Sequence, residues 1–396
     1  MLLDIIILYA TKTGVSGKRK TPEKFSNGDE NEVFLRLENY YTFPIYTKII
    51  DEIPIQFQVR DFSIEKTIPA SSVAELKYTL RPTERGEYTF GKLNIYVLSI
   101  LGLVSRRFYF DNEVMVPTYP AYLQLKKYDL LAISNNLTMY GIKKIRRIGH
   151  TMEFEQIKEY VQGDDLRTIN WKASAKQNQL MVNQYQDEKS QPVYSVIDKG
   201  RVMKMPFDGL SLLDYAINAT LVMSNVILKK QDKAGMFTFS KKVENMVVAE
   251  KRSSQMSLIL ESLYNVETDF FESDYGRLYG DIKRNITHRS LILLYTNFET
   301  LDALNRQLPY LKGIAKSHLL VVVFFKNTEL DQLIQEEATT IQEAYDKVIA
   351  EKFSFEKRLI VNELKKYGIY SILTTPENLT IDAINKYLEM KARGLV

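Results

Sequence analysis

The sequence predicts a multi-domain α and β protein: an N-terminal β-sandwich followed by an α/β open, mostly parallel sheet. Three observations carry this. Short runs in the first third alternate apolar and polar residues with period two. In the second half, continuous apolar runs alternate with patterns of helical period. The length, 396 residues, exceeds one ordinary domain. The expected division is residues 1–21 as an N-terminal connector, 22–118 as the sandwich, 119–190 as a linker, and 191–396 as the α/β domain.

The first ten residues, MLLDIIILYA, are apolar apart from Asp4. A bilayer span takes about 20 such residues, so this run is too short alone. It lacks a basic n-region and a small-residue cleavage site, which argues against a signal peptide. Read on its own, it is a docked or frayed N-terminal strand. Residues 11–28 are polar and read as a connector. The run Gly14-Val15-Ser16-Gly17-Lys18 has the wrong spacing for a phosphate loop.

From Glu32 the period is two: Val33, Leu35 and Leu37 alternate with Phe34, Arg36 and Glu38. Runs 55–59, 76–80, 93–97 and 108–110 behave alike, with turn formers at Asn27-Gly28-Asp29, Arg81-Pro82 and Arg85-Gly86-Glu87 between them. Pro117 and Pro120 mark the exit from the sandwich.

Beyond residue 190 the expected order is a strand at 193–197 ending at Asp198, a helix carrying Leu212 to Val226, a strand at 234–239, and its partner near 246–248. Helices follow at 253–264 and 276–285, then a strand at 291–295 and a helix near 300–314. The most apolar strand, 319–325, a long helix at about 330–366, a strand at 370–373 and a last helix from Ile381 complete it. In such a sheet ligands gather beyond the carboxyl ends of the strands, which singles out Asp198 and Thr296-Asn297.

Composition excludes more than it selects. The apolar fraction is 45%, enough for real cores. Net charge is +4, from 53 basic and 49 acidic residues, too mild to argue for nucleic acid or an anionic membrane. Without cysteine there is neither disulfide nor thiolate metal site. The histidines His150, His288 and His318 are scattered, and no nucleophile elbow, H-E-x-x-H or dinucleotide fingerprint occurs. No cofactor is expected.

The densest chemistry lies from Lys144 to Gln191. Lys143, Lys144, Arg146 and Arg147 form a basic cluster, read as a solvated face or as partners for Glu153 and the two aspartates rather than as a phosphate site. Phe154, Ile157 and Tyr160 recur at three-residue steps, a short helical stripe that Gly163-Asp164-Asp165 breaks. Arg167, Asn170 and Lys172 surround Trp171, the only tryptophan, which reads as a core anchor. Asp164 and Asp165 look like a paired-carboxylate acid/base site and equally like a helix stop followed by a cap. Arg147 and Arg167 suit bidentate pairing with Glu153, Asp164 or Asp165.

The pattern R-R-x-G…E-F…Y-x-x-G-D-D-x-R-x-I-N-W-K-A-x-A…L-x-V-N…E resembles the signature of the bacterial domain of unknown function family fifty-eight, in a Bacteroidetes-type member. Arg81-Pro82…Arg85-Gly86-Glu87-Tyr88…Phe90-Gly91 is similar to that family too, and reads locally as a strand-end turn with packed aromatics. The resemblance implies a von Willebrand factor A-like, Rossmann-type C-terminal domain and an associated MoxR-type AAA+ ATPase. It implies no known reaction. Relatives begin with membrane-spanning helices, so residues 1–21 have a second reading, the tail of a membrane anchor, and the expected location is the cytoplasmic side of the inner membrane.

Von Willebrand A domains hold a divalent metal in a D-x-S-x-S loop, with an aspartate ending a later strand. This chain departs from that pattern. The loop reads Asp198-Lys199-Gly200-Arg201-Val202, and the later position is Asn297. One carboxylate beside Lys and Arg is a weak cation trap, so Asp198 is expected to pair with Arg201 or to cap the following helix. The expected function is a non-enzymatic scaffold or adaptor that engages a MoxR-type ATPase or its client in envelope or complex assembly, at the strand-end face of Asp198, Gly200, Arg201 and Asn297, supported by the signature residues Arg147, Glu153, Gly163, Asp164, Asp165, Arg167, Asn170, Trp171 and Lys172. The alternatives are a divalent-metal-dependent adhesion module and a hydrolase using Glu153, Asp164 or Asp165.

Overall fold

The computed structural model describes residues 2–98, 102–111, 113–123, 152–162, 164, 166–187, 190–338 and 340–395. The chain divides into two compact units: residues 1–128 with 206–221 and 260–266, and residues 129–205 with 222–259 and 267–396.

The first unit opens with a helix, α1 (Leu2–Tyr9), not the strand that is one of the two readings of this run. Asp4 fixes its start by accepting from the Leu103 and Val104 amides, both at 3.0 Å, and buried Leu8 joins the core. Among the described residues, no helix is long and apolar enough to cross a membrane. The strands are β1 (Val15–Lys20), β2 (Phe25–Ser26), β3 (Asn31–Asn39), β4 (Ile45–Asp51), β5 (Ile64–Ile68), β6 (Val73–Leu80), β7 (Gly86–Phe90), β8 (Leu93–Leu98), β9 (Ser105–Phe110) and β10 (Val114–Tyr119). They form sheets β1-β3-β6, β5-β4-β8-β9 and β2-β10-β7, antiparallel except for the short β2–β10 pair. Strand β1 lies inside the expected connector, because its pairing with β3 gives its polar residues a ladder. Val33, Leu35 and Leu37 enter one core with Ile49, Phe90, Ile95 and Val116, as period-two burial requires.

Two features of this unit escaped the pattern. Residues 55–59 are not a strand. Ile55–Phe57 form a 3-10 turn after Pro54, closed by Gln58 in the left-handed region (φ 53°), and Ile55 is exposed. A fully buried ion pair also crosses the core. Arg19 Nε lies 3.0 Å from both carboxylate oxygens of Asp51, the Tyr78 hydroxyl donates to Asp51 Oδ2 at 2.5 Å, and the guanidinium stacks 4.6 Å from the Phe90 ring. Arg85, in the turn before β7, is similarly engaged: Nε pairs with Asp214 Oδ1 at 3.1 Å and Nη1 donates to the Leu263 carbonyl at 2.9 Å.

The second unit begins with a hairpin, β11 (Met152–Glu159) and β12 (Met181–Asp187), with a short helix α2 (Trp171–Gln177) between its strands. The expected helical stripe is therefore strand at Phe154 and Ile157, with Tyr160 just past its end. A bulge between Phe154 and Gln156 advances the register by one residue, so Phe154 and Ile157, three apart, pair with Tyr185 and Asn183, two apart. The bulge imitates a helical spacing.

In chain order there follow β13 (Pro192–Asp198), then a small hairpin, β14 (Pro206–Phe207) and β15 (Leu210–Ser211), that belongs to the first unit, and α3 (Leu212–Lys229), whose residues from 222 on belong to the second. The second unit continues with β16 (Lys233–Phe239), β17 (Val243–Glu250), α4 (Gln255–Tyr264) as far as residue 259, α5 (Tyr275–Asn285), β18 (Leu291–Tyr295), α6 (Leu301–Ser317), β19 (Leu319–Phe325), α7 (Thr328–Gln335), α8 (Ile341–Lys366), β20 (Tyr370–Thr374) and α9 (Leu379–Ala392). Among the described residues the sheet runs β17-β16-β13-β18-β19-β20, parallel throughout except for the antiparallel edge strand β17. All seven residues of β19 are buried. Each such apolar side chain contributes about 1.5–3 kcal/mol relative to exposure, which is why a strand with no polar face sits inside the sheet. The single helix expected at 330–366 is two. Asn327 caps α7, and a capping box formed by Thr340 and Glu343 starts α8 afresh.

Candidate functional site at the strand ends

The chain passes from β13 to β16 on one side and then to β18 on the other, so the order reverses between β13 and β18. Such a switch opens a crevice beyond the strand ends. Asp198 closes β13 at this point and is fully buried.

Asp198 does not pair with Arg201, which lies exposed 3.6 Å from the exposed Glu272, nor does it cap a helix. It is the acceptor of a closed set of donors. The Gly200 amide (2.8 Å) and the Ser273 hydroxyl donate to Oδ1, and the Thr296 hydroxyl donates to Oδ2 at 2.7 Å. The Tyr275 hydroxyl lies 2.7 Å from Thr296 Oγ1 and 3.3 Å from Asp198 Oδ2. Burial pushes the Asp198 carboxyl above the ordinary carboxylate range, and these hydrogen bonds oppose the rise. Burial, reinforced by the Asp198 charge, drives the Tyr275 hydroxyl well above its usual value.

Gly200 is required by space. A Cβ there would fall on the Ser273 hydroxyl and within 3.0 Å of the Phe271 carbonyl oxygen. Lys199 turns away from Asp198, to Glu244 (2.6 Å) and Asp269 (3.2 Å). Burial alone would lower its ammonium, and the two carboxylates outweigh that and hold it above the ordinary lysine value. The two cations expected to neutralise Asp198 are thus both directed elsewhere.

Asn297 is buried, and its Oδ1 accepts from Lys357 Nζ of α8 at 2.7 Å. The same ammonium donates to the Phe298 carbonyl at 2.5 Å and lies 5.7 Å from the Phe324 ring. Burial pulls Lys357 down to about 8, with the Glu299 charge opposing. A small cavity of about 70 Å³ lies over the network, bordered by Arg201, Glu272, Arg306 and Gln307.

A divalent cation of the kind the resemblance implies does not fit here. Donors already point at both Asp198 oxygens, and a lysine holds the Asn297 oxygen. Among the described residues, no group of three or more His, Cys, Asp or Glu side chains is gathered for a metal.

In the signature segment, Arg147, Gly163 and Asp165 lie outside the described residues, as do the side chains of Glu153 and Arg167. Glu153 stands on β11 opposite Gln186, and Arg167 lies in the 3-10 turn Leu166–Thr168. Asp164 closes the turn after β11: Lys158 Nζ lies 2.9 Å from Oδ1 and the Val161 amide donates to Oδ2 at 3.0 Å. The lysine bond and then the amide bond hold its carboxyl below the usual range. That is the opposite of the shift a general acid needs. Asn170 caps α2 by accepting from the Ala173 amide at 3.0 Å, and its Nδ2 donates to Asn183 of β12 at 2.9 Å. Trp171 is not a core anchor. At the first position of a seven-residue helix it is 71% exposed, and Lys172 beside it is exposed as well.

Sequence reading missed Ser273, Tyr275 and Lys357. Ser273 lies 75 positions from Asp198 and Lys357 lies 60 from Asn297, so only the sheet order brings them together.

The chain is similar, 22% identical over 201 residues, to the uncharacterized protein YeaD of Bacillus subtilis (strain 168). The match takes in 49% of this chain and 50% of that protein, so the chain spans about half the length of the curated relative it matches. Among solved structures it is similar to the PapD-like domain of human CEP192, with 16% identity, a TM-score of 0.22, and 28% of this chain and 87% of that one covered. A second similarity is to the CARDB domain of a Pyrococcus furiosus protein, with 16% identity, a TM-score of 0.21, and 26% and 86% covered. The family described as protein of unknown function DUF58 matches residues 156–333, a span that includes Asn170, Trp171, Asp198, Ser273 and Thr296.

Proposed function

We propose that the chain is a non-enzymatic protein-recognition module, a Bacteroidetes-type member of this family whose C-terminal half is a von Willebrand A-like scaffold that has exchanged ion coordination for docking a polypeptide. The observation that supports this is the loop carrying Ser273. While Ser273 is fixed on buried Asp198, Phe270 and Phe271 of the same loop are 68% and 51% exposed. Lys204 lies 3.7 Å from the Phe270 ring centroid and Lys241 lies 3.3 Å from that of Phe271. Exposed phenylalanines are among the residue types enriched at protein interfaces, and the adjacent ammonium groups pack on their rings.

By resemblance the partner is a MoxR-type AAA+ ATPase, engaged in envelope or complex assembly at the cytoplasmic face of the inner membrane. The test is co-purification of the chain with that ATPase, with and without ATP, using wild type and a Phe270→Ser, Phe271→Ser double variant. Capture by wild type, lost in the variant, supports the reading; no capture by wild type in either nucleotide state overturns it. Stoichiometric Mg²⁺ binding abolished by Asp198→Ala would instead restore the metal-dependent adhesion reading.

A further inference from the structure

A second cavity, of about 190 Å³, opens beyond the C-terminal end of β19 between α7 and α8. Its apolar wall is Leu330, Phe353 and Leu373; its polar lining includes Lys326, Lys357 and Arg358, and no carboxylate is among the residues that line it. Among the described residues, neither Lys326 nor Arg358 has an ion pair. Lys357 spends two of its three ammonium protons on the uncharged Asn297 and Phe298 oxygens. Three cations thus converge on one cavity without a counter-ion in its lining. Two neutral acceptors, with only the Glu299 charge to oppose its burial, leave Lys357 incompletely compensated, a cost that an anion in the cavity would offset.

We propose that this cavity binds a carboxylate attached to a short apolar group, with Lys357 as the buried anchor, Arg358 and Lys326 at the mouth, and the Leu330, Phe353 and Leu373 wall receiving the apolar part. The planar fork of arginine matches a carboxylate in two-point contact. An apolar group packed on that wall would displace water from the cavity and strengthen the ion pair. The position fits as well, since ligands in open parallel sheets gather beyond the strand ends. This site is independent of the Phe270–Phe271 surface. Its carboxylate has two sources, a small free acid or the C-terminus of a peptide.

The test is calorimetric titration of the full chain with hexanoate, with the peptide Gly-Gly-Leu in free-acid and amidated forms, and with inorganic phosphate. Hexanoate or the free-acid peptide binds at millimolar concentration or below, and Lys357→Met weakens binding at least roughly tenfold, the worth of one charge-assisted hydrogen bond. Binding of hexanoate alone identifies a small acid. Binding of the peptide, abolished by amidation, identifies a polypeptide terminus. Should Lys357→Met fail to fold, the exposed double variant Lys326→Gln, Arg358→Gln carries the test, with the same loss expected. No binding of either carboxylate, binding of phosphate alone, or undiminished affinity in the folded variants overturns the proposal.

Discussion

The Thr296 hydroxyl donates to Asp198 at 2.7 Å from the end of the neighbouring strand, so the buried acid is satisfied across the one gap in the sheet where strand order reverses. Four donors serve a single carboxylate there. The arrangement makes Asp198 a keystone of the loop ends rather than an open ligand.

Replacing Asp198 with Ala leaves the Gly200 amide and the Ser273 and Thr296 hydroxyls short of an acceptor in a buried place, and is expected to cost about 2–4 kcal/mol. Asp198→Asn keeps an acceptor and costs less. The folded carboxyl titrates above its unfolded value. Between those two values the folded state holds the extra proton, so this group's contribution to stability falls as pH rises through the window. Asp198→Asn removes that fall. Urea unfolding at several pH values checks both statements.

Gly200→Ala is expected to move the loop that holds Ser273, because the added methyl meets that hydroxyl and the Phe271 carbonyl. The expected outcome is a loss of about 1–3 kcal/mol, read as a lower thermal midpoint, with faster hydrogen exchange at residues 270–274.

Lys357 titrates at about 8 in the folded chain against an ordinary 10.5. Below pH 8 the buried charge opposes folding in full. As pH rises from about 8 toward 10.5 the folded state sheds the proton first, and stability gains up to ~3 kcal/mol from this group. Lys357→Met abolishes that rise, which a series of thermal melts in this pH range detects.

The Arg19–Asp51 pair has no exposure at either side chain. Asp51→Ala strands a guanidinium and the Tyr78 hydroxyl in an apolar core, and is expected to cost about 3–5 kcal/mol. Denaturant unfolding measures it.

Trp171 offers a sharp check on its surroundings. With 71% of the residue exposed, Trp171→Ala is expected to change stability by less than about 1 kcal/mol. Because it is the sole tryptophan, its fluorescence in the folded chain reports on it alone, and acrylamide should quench it nearly as well as in the unfolded chain.

The legible parts of the fold were those where one period governs a whole element. Val33, Leu35 and Leu37 declare a half-buried strand, and the unbroken apolar run at 319–325 declares a covered one. The pattern misled where a local device changed the phase. The bulge at Phe154 and Gln156 gave strand residues a helical spacing, and Pro54 with left-handed Gln58 turned an apolar run into a tight exposed corner. Thr340 and Glu343 form a helix-start signature within the sequence, and the charged stretch around them hid the break between α7 and α8. At the candidate site, Asp198 and Asn297 follow from strand ends alone. Ser273, Tyr275 and Lys357 do not, because their roles arise from long-range chain crossing that no local window contains.

Thr296 and Asn297 are adjacent, yet one serves an acid and the next serves an amine, on opposite sides of a single peptide link. Exchanging their order would offer Asp198 an amide and leave Lys357 facing a hydroxyl and a methyl group. The order of the two is therefore fixed: a change at Thr296 would have to be answered at Asp198 and at Tyr275 of α5, and a change at Asn297 at Lys357 of α8.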